Sequence, residues 1–533
     1  MDWNYIIVGG GSAGCVLANR LSANPQCKVL LLEAGGKDSS WCFKVPAGVV
    51  KAAARYNWAY PGDPDPSRNS ITDYWAAGKA LGGGSSINGM MYVRGNPGDF
   101  DQWSELGCDG WNYQAVLPYF KRLESWEEGG SAYRGNHGPV QVVKERVEHS
   151  ITSMFVGAAV EAGYSHNDDY NGRTQEGVAT VQVNMKRGVR QSASTAYLGP
   201  VAQRSNLNII TGAMVQRVLF ENQRAVGVEY QIDGEAHTVC CDREVVLSAG
   251  AIASPKLLMQ SGIGDLKALK AHGIAPLFNL PGVGQNLQEH PCISMTWRVN
   301  RHTLNTLMRR PLGALWEGFR YLATGGGALA SAAGHAQIFF RTDDKLSRPN
   351  IQAIFVPMGY EADNQSEQMD WKLAAHSMVT VAVCLMNPKT RGTIELKSND
   401  PTVSPSISHQ LIGSPTDRQQ LIEGCRRVRE VMVQPAISAV LVEEMFPGSQ
   451  VQSDADWQQV LCQATFMGYH PSGTCKMGRD SLAVVDPELR VHGVNGLRVA
   501  DASIMPVVTT GNTNAPVMMI AEKAADLMLA DFA

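Results

Sequence analysis

The first 36 residues constrain the fold more than any other part of the chain. Tyr5 to Val8 is an apolar, β-prone run. Gly9-Gly10-Gly11-Ser12-Ala13-Gly14 follows, and Cys15 to Leu21 has helix-like composition. A second strand-like run, Val29 to Leu32, ends in Glu33-Ala34-Gly35-Gly36. This is a βαβ unit of about 30 residues, the opening of a nucleotide-binding fold. Gly9, Gly11 and Gly14 form G-x-G-x-x-G. The first glycine permits the tight turn, the second lets the backbone approach a pyrophosphate, and the third allows close helix–strand contact. The following helix points free N–H groups at the phosphates. Glu33 stands nineteen residues beyond Gly14, where a ribose-binding carboxylate is expected after about 20. Glycine triplets also serve as plain turns, so the flanking strand, helix and acid carry the reading. It predicts a bound dinucleotide and does not separate FAD from NAD.

A chain of 533 residues exceeds one compact core, so two or three lobes are expected. A glycine-rich segment covers Gly78 to Gly95. Phe100 to Glu124 reads as partly helical, with Trp103, Leu106, Val116, Leu117 and Phe120 as core candidates. Strand-like runs follow at Leu207–Thr211, Val215–Glu221, Ala225–Tyr230 and Glu244–Leu247. From Arg298 to Val460 there is no phosphate-type glycine motif. Strand-like runs at Ala336–Arg341, Ile351–Val356, Val379–Leu385 and Gly392–Leu396 surround a helical stretch at Asp417–Met432. That mixture reads as a second, α+β lobe. The chain returns to a strand at Gly496–Ala500 and closes with a helix. Val517, Ile520, Ala524 and Met528 recur there at helical spacing, as core packing requires.

Several function classes are disfavoured. The net charge is −4 with no basic run, which argues against a nucleic-acid partner. Eleven cysteines are dispersed without a CxxC pair. They read as thiols in a reducing compartment, not as a disulfide framework or zinc ribbon. No His/Cys/Asp/Glu cluster has metal-ligand spacing, so no metal is expected. The N-terminus lacks a signal-peptide pattern, and no apolar run approaches the ~20 residues that span a bilayer. The cytoplasm is the expected location, with room for peripheral membrane contact and for a homo-oligomer.

Five further segments resemble signatures of the glucose–methanol–choline (GMC) oxidoreductase family, in the family's order. They are Gly78-Lys79-Ala80-Leu81-Gly82-Gly83-Gly84-Ser85-Ser86-Ile87-Asn88-Gly89; Gly250 to Gly264, containing Ser254-Pro255 and Ser261-Gly262; Leu280 to His290; Tyr469-His470-Pro471 to Gly478; and Arg498 to Pro506. The resemblance implies an α/β, Rossmann-like FAD-binding domain and an α+β substrate domain with a mainly antiparallel sheet. Its division here would be residues 1–150, 200–297 and 461–533 for FAD, and 151–199 with 298–460 for substrate. The implied FAD-binding positions are Gly9, Gly11, Ser12, Ala13, Gly14, Glu33, Ala34, Gly82, Gly83, Ser86, Asn88, Gly89, Val215, Ala249, Gly250, Asp501, Ala502 and Asn512. Gly83, Ser86, Asn88 and Gly89 would line the flavin, Val215 the adenine, and Asp501 the ribose and diphosphate. Some family members attach FAD through a histidine that corresponds to Ile87. Isoleucine cannot form that bond, so noncovalent FAD is expected. Ala77 replaces an arginine common in the family, which removes any contact made by that side chain.

The same resemblance implies the chemistry. Hydride leaves an alcohol carbon more easily as the oxygen gains alkoxide character, so a base must stand near the hydroxyl. His470 is the expected base and Asn512 its partner, with Asn514 as the fallback in Gly511-Asn512-Thr513-Asn514. His290 and His492 read as structural or surface residues, and His137 as part of a turn. Ser85-Ser86 lacks the G-x-S-x-G setting of a hydrolase. The reaction implied is oxidation of a primary alcohol to an aldehyde by hydride transfer to flavin N5, with electrons passed to a quinone or other acceptor. The pattern is similar to choline, sorbose and polyethylene glycol dehydrogenases, which suggests a polyol or polyether alcohol. Choline is less favoured, because no acidic-and-aromatic cage for a quaternary ammonium is visible. An oxygen-using alcohol oxidase, a hydroxynitrile-lyase-type enzyme and a noncatalytic flavin-binding protein are the alternatives.

Overall fold

The computed structural model describes residues 3–360 and 373–531. Its strands, in chain order, are β1 Trp3–Val8, β2 Val29–Glu33, β3 Gly177–Thr180, β4 Leu207–Thr211, β5 Met214–Glu221, β6 Arg224–Ile232, β7 Glu235–Leu247, β8 Pro291–Val299, β9 Ala336–Phe340, β10 Ile351–Val356, β11 Met378–Leu385, β12 Leu441–Phe446, β13 Phe466–Met467 and β14 Leu497–Val499. The helices that matter here are α1 Ser12–Leu21, α2 Gly250–Gln260, α3 Pro311–Thr324, α4 Pro415–Met432 and α5 Asn514–Ala530.

The first sheet has the order β4-β2-β1-β7-β6-β5, with β14 beside β7. Its heart is parallel: β2, β7 and their outer neighbours β4 and β14 all run with β1. Parallel strands are covered on both faces and therefore read as unbroken apolar runs. Every residue of β2, Val29 to Glu33, is buried. The C-terminal helix α5 packs on α1, and Val517, Ile520, Ala524 and Met528 join the core of this half. Leu106 departs from the core reading and is 48% exposed. It is the C-cap of the Pro97–Glu105 helix. Gly107, at φ +89°, turns the chain away just after it.

The second sheet has the order β12-β8-β11-β10-β9-β3, with β13 beside β8, and every pair is antiparallel. Helix α4 covers it. Leu421, Ile422, Cys425, Val428 and Met432 face the sheet at helical spacing and share a separate core with β8–β11. Ser414 caps α4, its hydroxyl accepting the Asp417 N–H, which offsets one of the unpaired donors of the first turn.

Contrary to what their dispersal in the sequence suggests, not all eleven cysteines are thiols. Cys292 on β8 and Cys384 on β11 are joined as a disulfide. They are direct partners in the antiparallel register. A separation of 92 residues gives no local sequence signal, because only strand pairing brings the two together.

Candidate active site

A cavity of about 1240 Å³ lies between the two sheets, running from the fingerprint to the inner face of the second sheet. Its first wall is mostly backbone. Gly9, Gly11, Ser12, Ala13, Glu33, Ala34, Gly83, Asn88, Gly89, Val215, Ala249, Gly250, Asp501 and Ala502 all line it. The glycines shape this wall by what a side chain would strike. A Cβ on Gly14 would fall 1.9 Å from the Gly9 carbonyl oxygen, and one on Gly83 2.7 Å from Gly11 Cα. Gly14, Gly82 and Ser86 stand behind the wall. Gly14 seats α1 against the β1 turn, and the Gly82 N–H donates to the Gly10 carbonyl at 2.7 Å. The Ser86 hydroxyl turns away to the Leu81 carbonyl at 2.7 Å.

Two buried carboxyls close this end. Glu33 accepts the N–H of Gly10 at 2.7 Å and of Gly35 at 2.6 Å. Burial pushes it up to about 7 against those two hydrogen bonds. Asp501 accepts from Gly250 N–H, the Ser254 hydroxyl and Ser503 N–H, tying β14 to the start of α2. Carboxyl groups at one end of the cavity, a glycine-walled groove and the start of α1 fit a dinucleotide. Behind Asn88 lies Arg190, a buried guanidinium whose Nη1 donates to Asn88 Oδ1 at 2.8 Å. Burial holds it down at about 9.

The opposite wall carries side chains that can act. β13 pairs with the start of β8, Pro291 opposite Met467, so the residues just before β8 and just after β13 meet. The Gly468 N–H donates to the His290 carbonyl at 2.8 Å. Tyr469 then adopts φ +63°, a costly conformation for an aromatic residue that the surrounding pairing holds in place. His470 follows it. Its backbone N–H donates to both oxygens of Glu289, at 2.8 and 2.9 Å. Glu289 also takes the His290 N–H, so one carboxyl positions both histidines. Burial pushes Glu289 up to about 8, against these N–H bonds.

The His470 ring is held at both nitrogens. Nδ1 lies 3.0 Å from His290 Nδ1, and Nε2 lies 3.0 Å from Asn512 Nδ2. Gln352 Nε2 donates to Asn512 Oδ1 at 3.3 Å and to Gln337 Oε1 at 2.7 Å. With the Asn512 amide so oriented, its NH₂ faces His470. Nε2 is then the accepting nitrogen and Nδ1 the one that donates to His290. Burial lowers His470 to about 4. Burial, and then His470 beside it, hold His290 well below the ordinary histidine range. At neutral pH both rings are neutral, and the accepting form of His470 is the one present.

Asn512 sits in the loop before α5, just after Gly511 at φ +117°, where a Cβ would fall 2.5 Å from a Val93 methyl. Asn514 lies elsewhere on the cavity, its Oδ1 accepting the Ser12 hydroxyl at 2.8 Å. His492 pairs with the Gly478 carbonyl, and His137 is exposed. The structure thus adds Glu289, His290, Gln352 and Arg190 to the residues read from sequence. Glu289-His290 closes one of the recurrent segments, a signal that was there to find. Gln352 and Arg190 stand in unremarkable β sequence.

Family models described as GMC oxidoreductase match residues 3–292 and 388–521. An oxygen-dependent choline dehydrogenase of Vibrio vulnificus is 40% identical, over 99% of this chain and 94% of the relative. The mitochondrial choline dehydrogenase of Mus musculus is 39% identical, over 99% and 89%. Among solved structures, a pyridoxine 4-oxidase from Mesorbium loti aligns with a TM-score of 0.89 at 28% identity, covering 98% of both chains. A formate oxidase of Aspergillus oryzae RIB40 aligns at 0.92 and 26%, covering 99% of this chain and 98% of the other. The glycine-walled groove, the buried carboxyls and the full-length similarity converge: the chain belongs to the GMC oxidoreductase family and is an FAD-dependent, choline-dehydrogenase-like oxidoreductase.

Proposed function

We propose that the protein oxidises an uncharged primary alcohol to an aldehyde, and that FAD is held without a covalent bond. The observation that carries this reading is the pair His470 Nε2 and Asn512 Nδ2, 3.0 Å apart on the wall facing the glycine groove. FAD, when bound, supplies the hydride acceptor. His470 takes the hydroxyl proton at Nε2, its neutral form being the one present at neutral pH. Asn512 donates to the substrate oxygen without competing for that proton. Glu289, His290 and Gln352 position these two groups. Ile87, which lines the cavity, has no atom for a flavin bond. The division into FAD and substrate domains at the boundaries read from sequence belongs to the same proposal.

The lining supports the substrate class. Among the described lining residues, Glu33 and Asp501 are the only acids, and both are committed at the nucleotide end. The substrate end offers Leu304, Met308, Ile354, Val356 and Met358, the aromatic side chains Tyr321, Tyr360, Phe466 and Tyr469, and Ser294 and Thr380 as scattered polar groups. A quaternary ammonium would have no counter-charge there, whereas an apolar or ether-linked alcohol would lose little on desolvation. The electrons then pass to a quinone or another acceptor. Oxygen is the second reading, because the two structural neighbours named above are oxidases.

The test is an anaerobic visible spectrum of the holoenzyme titrated with primary alcohols, polyethers, polyols and choline. Bleaching by uncharged alcohols, and slower or no bleaching by choline, is expected. A flavin that choline bleaches best would overturn the substrate class, and one that no alcohol bleaches would favour the lyase or noncatalytic alternative. Admitting air then separates oxidase from dehydrogenase by the speed of reoxidation.

A further inference from the structure

Helix α3 inverts the usual polarity of a surface helix. Its inner face carries Gly313, Ala314, Gly318 and the buried Glu317, which accepts the Ala328 N–H at 2.7 Å. The Tyr321 hydroxyl anchors the same face by donating to the Gly188 carbonyl at 3.0 Å. The outer face carries Leu312, Leu315, Trp316, Phe319 and Leu322, exposed by 82, 72, 62, 63 and 85%. A solvent-facing helix normally buries its apolar stripe. Here the stripe points outward from a helix whose inner side is tied down. Contiguous exposed apolar surface of this kind marks an interaction site.

The flanking charge identifies the occupant. Between residues 300 and 325 there are four arginines, Arg301, Arg309, Arg310 and Arg320, and one acid. The acid is Glu317, turned inward with the Arg320 guanidinium 3.8 Å from it, and Arg309 donates to the Leu373 carbonyl at 2.9 Å, so Arg301 and Arg310 carry the charge argument. All four arginines are exposed. Leu322 and Tyr321 also line the cavity, as do Trp41, 55% exposed, and Lys51, whose ammonium lies 5.3 Å from the Trp41 ring. Apolar and aromatic side chains on one face, with cations beside them, form the pattern of a helix lying in a bilayer interface. At fourteen residues α3 is too short to span, and no helix among the described residues is long and apolar enough to do so. A symmetric dimer through this face would bring the arginine rim against its own copy, so charge complementarity favours an anionic lipid surface.

We propose that α3 docks the enzyme in the plane of an anionic bilayer, with the cavity mouth at the lipid boundary. The inference rests on no assignment of the substrate. The holoenzyme is mixed with vesicles of phosphatidylcholine alone or with phosphatidylglycerol added, and sedimented. Binding to the anionic vesicles is expected. The Leu312→Ser/Leu315→Ser/Phe319→Ser variant should bind them at least about tenfold more weakly, with flavin content and bleaching by a water-soluble alcohol retained. Arg301→Gln/Arg310→Gln should remove the preference for phosphatidylglycerol. As a measurement on the unaltered apolar face, fluorescence lost in Trp316→Phe should be blue-shifted by anionic vesicles in the parent enzyme. Failure to bind either vesicle would overturn the proposal, as would undiminished binding by the triple serine variant. A parent dimer that this variant converts to monomer, with no vesicle binding by either, would also overturn it in favour of a second copy.

Discussion

The two walls of the cavity are built from different materials. The nucleotide wall is backbone: glycines, small residues and N–H groups anchored to a parallel sheet. The wall proposed to carry the catalysis is side chain: His470, Asn512, Gln352 and the adjacent pair Glu289-His290, drawn from separate loops and strands. On the first wall the penalty for change is steric and local, because a Cβ meets backbone that cannot move. On the second the penalty is chemical and graded, because each side chain can be removed while the frame stands.

The steepest test of that contrast is Gly14→Val. A Cβ 1.9 Å from the Gly9 carbonyl oxygen is incompatible with the β1–α1 turn, so the purified protein should lack flavin, read as the flavin-to-protein absorbance ratio. Normal FAD content in that variant would break the distinction at its root. His470→Ala probes the other wall. It should keep full flavin content and slow anaerobic reduction by an alcohol by on the order of 10²–10⁴. Loss of FAD in place of slowed chemistry would mean that the two walls are not separable.

Acid should distinguish the walls through their histidines. His290 and His335 adjoin β8 and β9 of the second sheet. Burial holds His335 at about 3 and His290 well below its ordinary range. Unfolded, each would take a proton near pH 6.5. Their folded pKa values lie below that, so their contribution to stability is complete above about pH 6.5 and is lost as pH falls from there toward the folded values. From pH 7 to 5 His335 alone accounts for up to about 2 kcal/mol. Hydrogen exchange, compared as opening free energies at the two pH values, should show the second sheet weakening before the first. The reverse order would remove the buried histidines as its weak point. Gln352→Leu is the mildest change. Asn512 loses the donor to its Oδ1, and alcohol-dependent reduction should fall about 2- to 10-fold with flavin content unchanged. An effect as large as that of His470→Ala would make Gln352 more than a positioning residue.

The same contrast explains what could be read in advance. The βαβ opening, the glycine turns and the apolar runs of the parallel sheet are local patterns, and β1, α1 and β2 lie where periodicity and composition put them. His470 and Asn512 were singled out because each stands in a recognisable segment, and the fold then brings them within hydrogen-bond distance. His290 reads as structural or surface in the sequence and is buried and hydrogen-bonded in the fold; its place beside His470 is not legible in advance, because nothing local says that β13 will pair beside β8. The Cys292–Cys384 disulfide escaped notice for the same reason, as did Gln352. The sequence shows one helical stretch in this lobe, Asp417–Met432, so α3 itself is not legible there, and periodicity alone would not give the direction in which its stripe points.

By itself, the sequence determined the nucleotide fold and the family, and it singled out His470 and Asn512, the residues proposed to act. Each is encoded in short runs where backbone sterics and side-chain chemistry act between near neighbours. The tertiary structure decided which nitrogen of His470 accepts, that Glu289 serves both histidines, that the described cavity lining holds no acid besides Glu33 and Asp501, and which face of α3 meets the surroundings. Those properties depend on burial and on contacts between strands dozens to hundreds of residues apart, and no local pattern carries them.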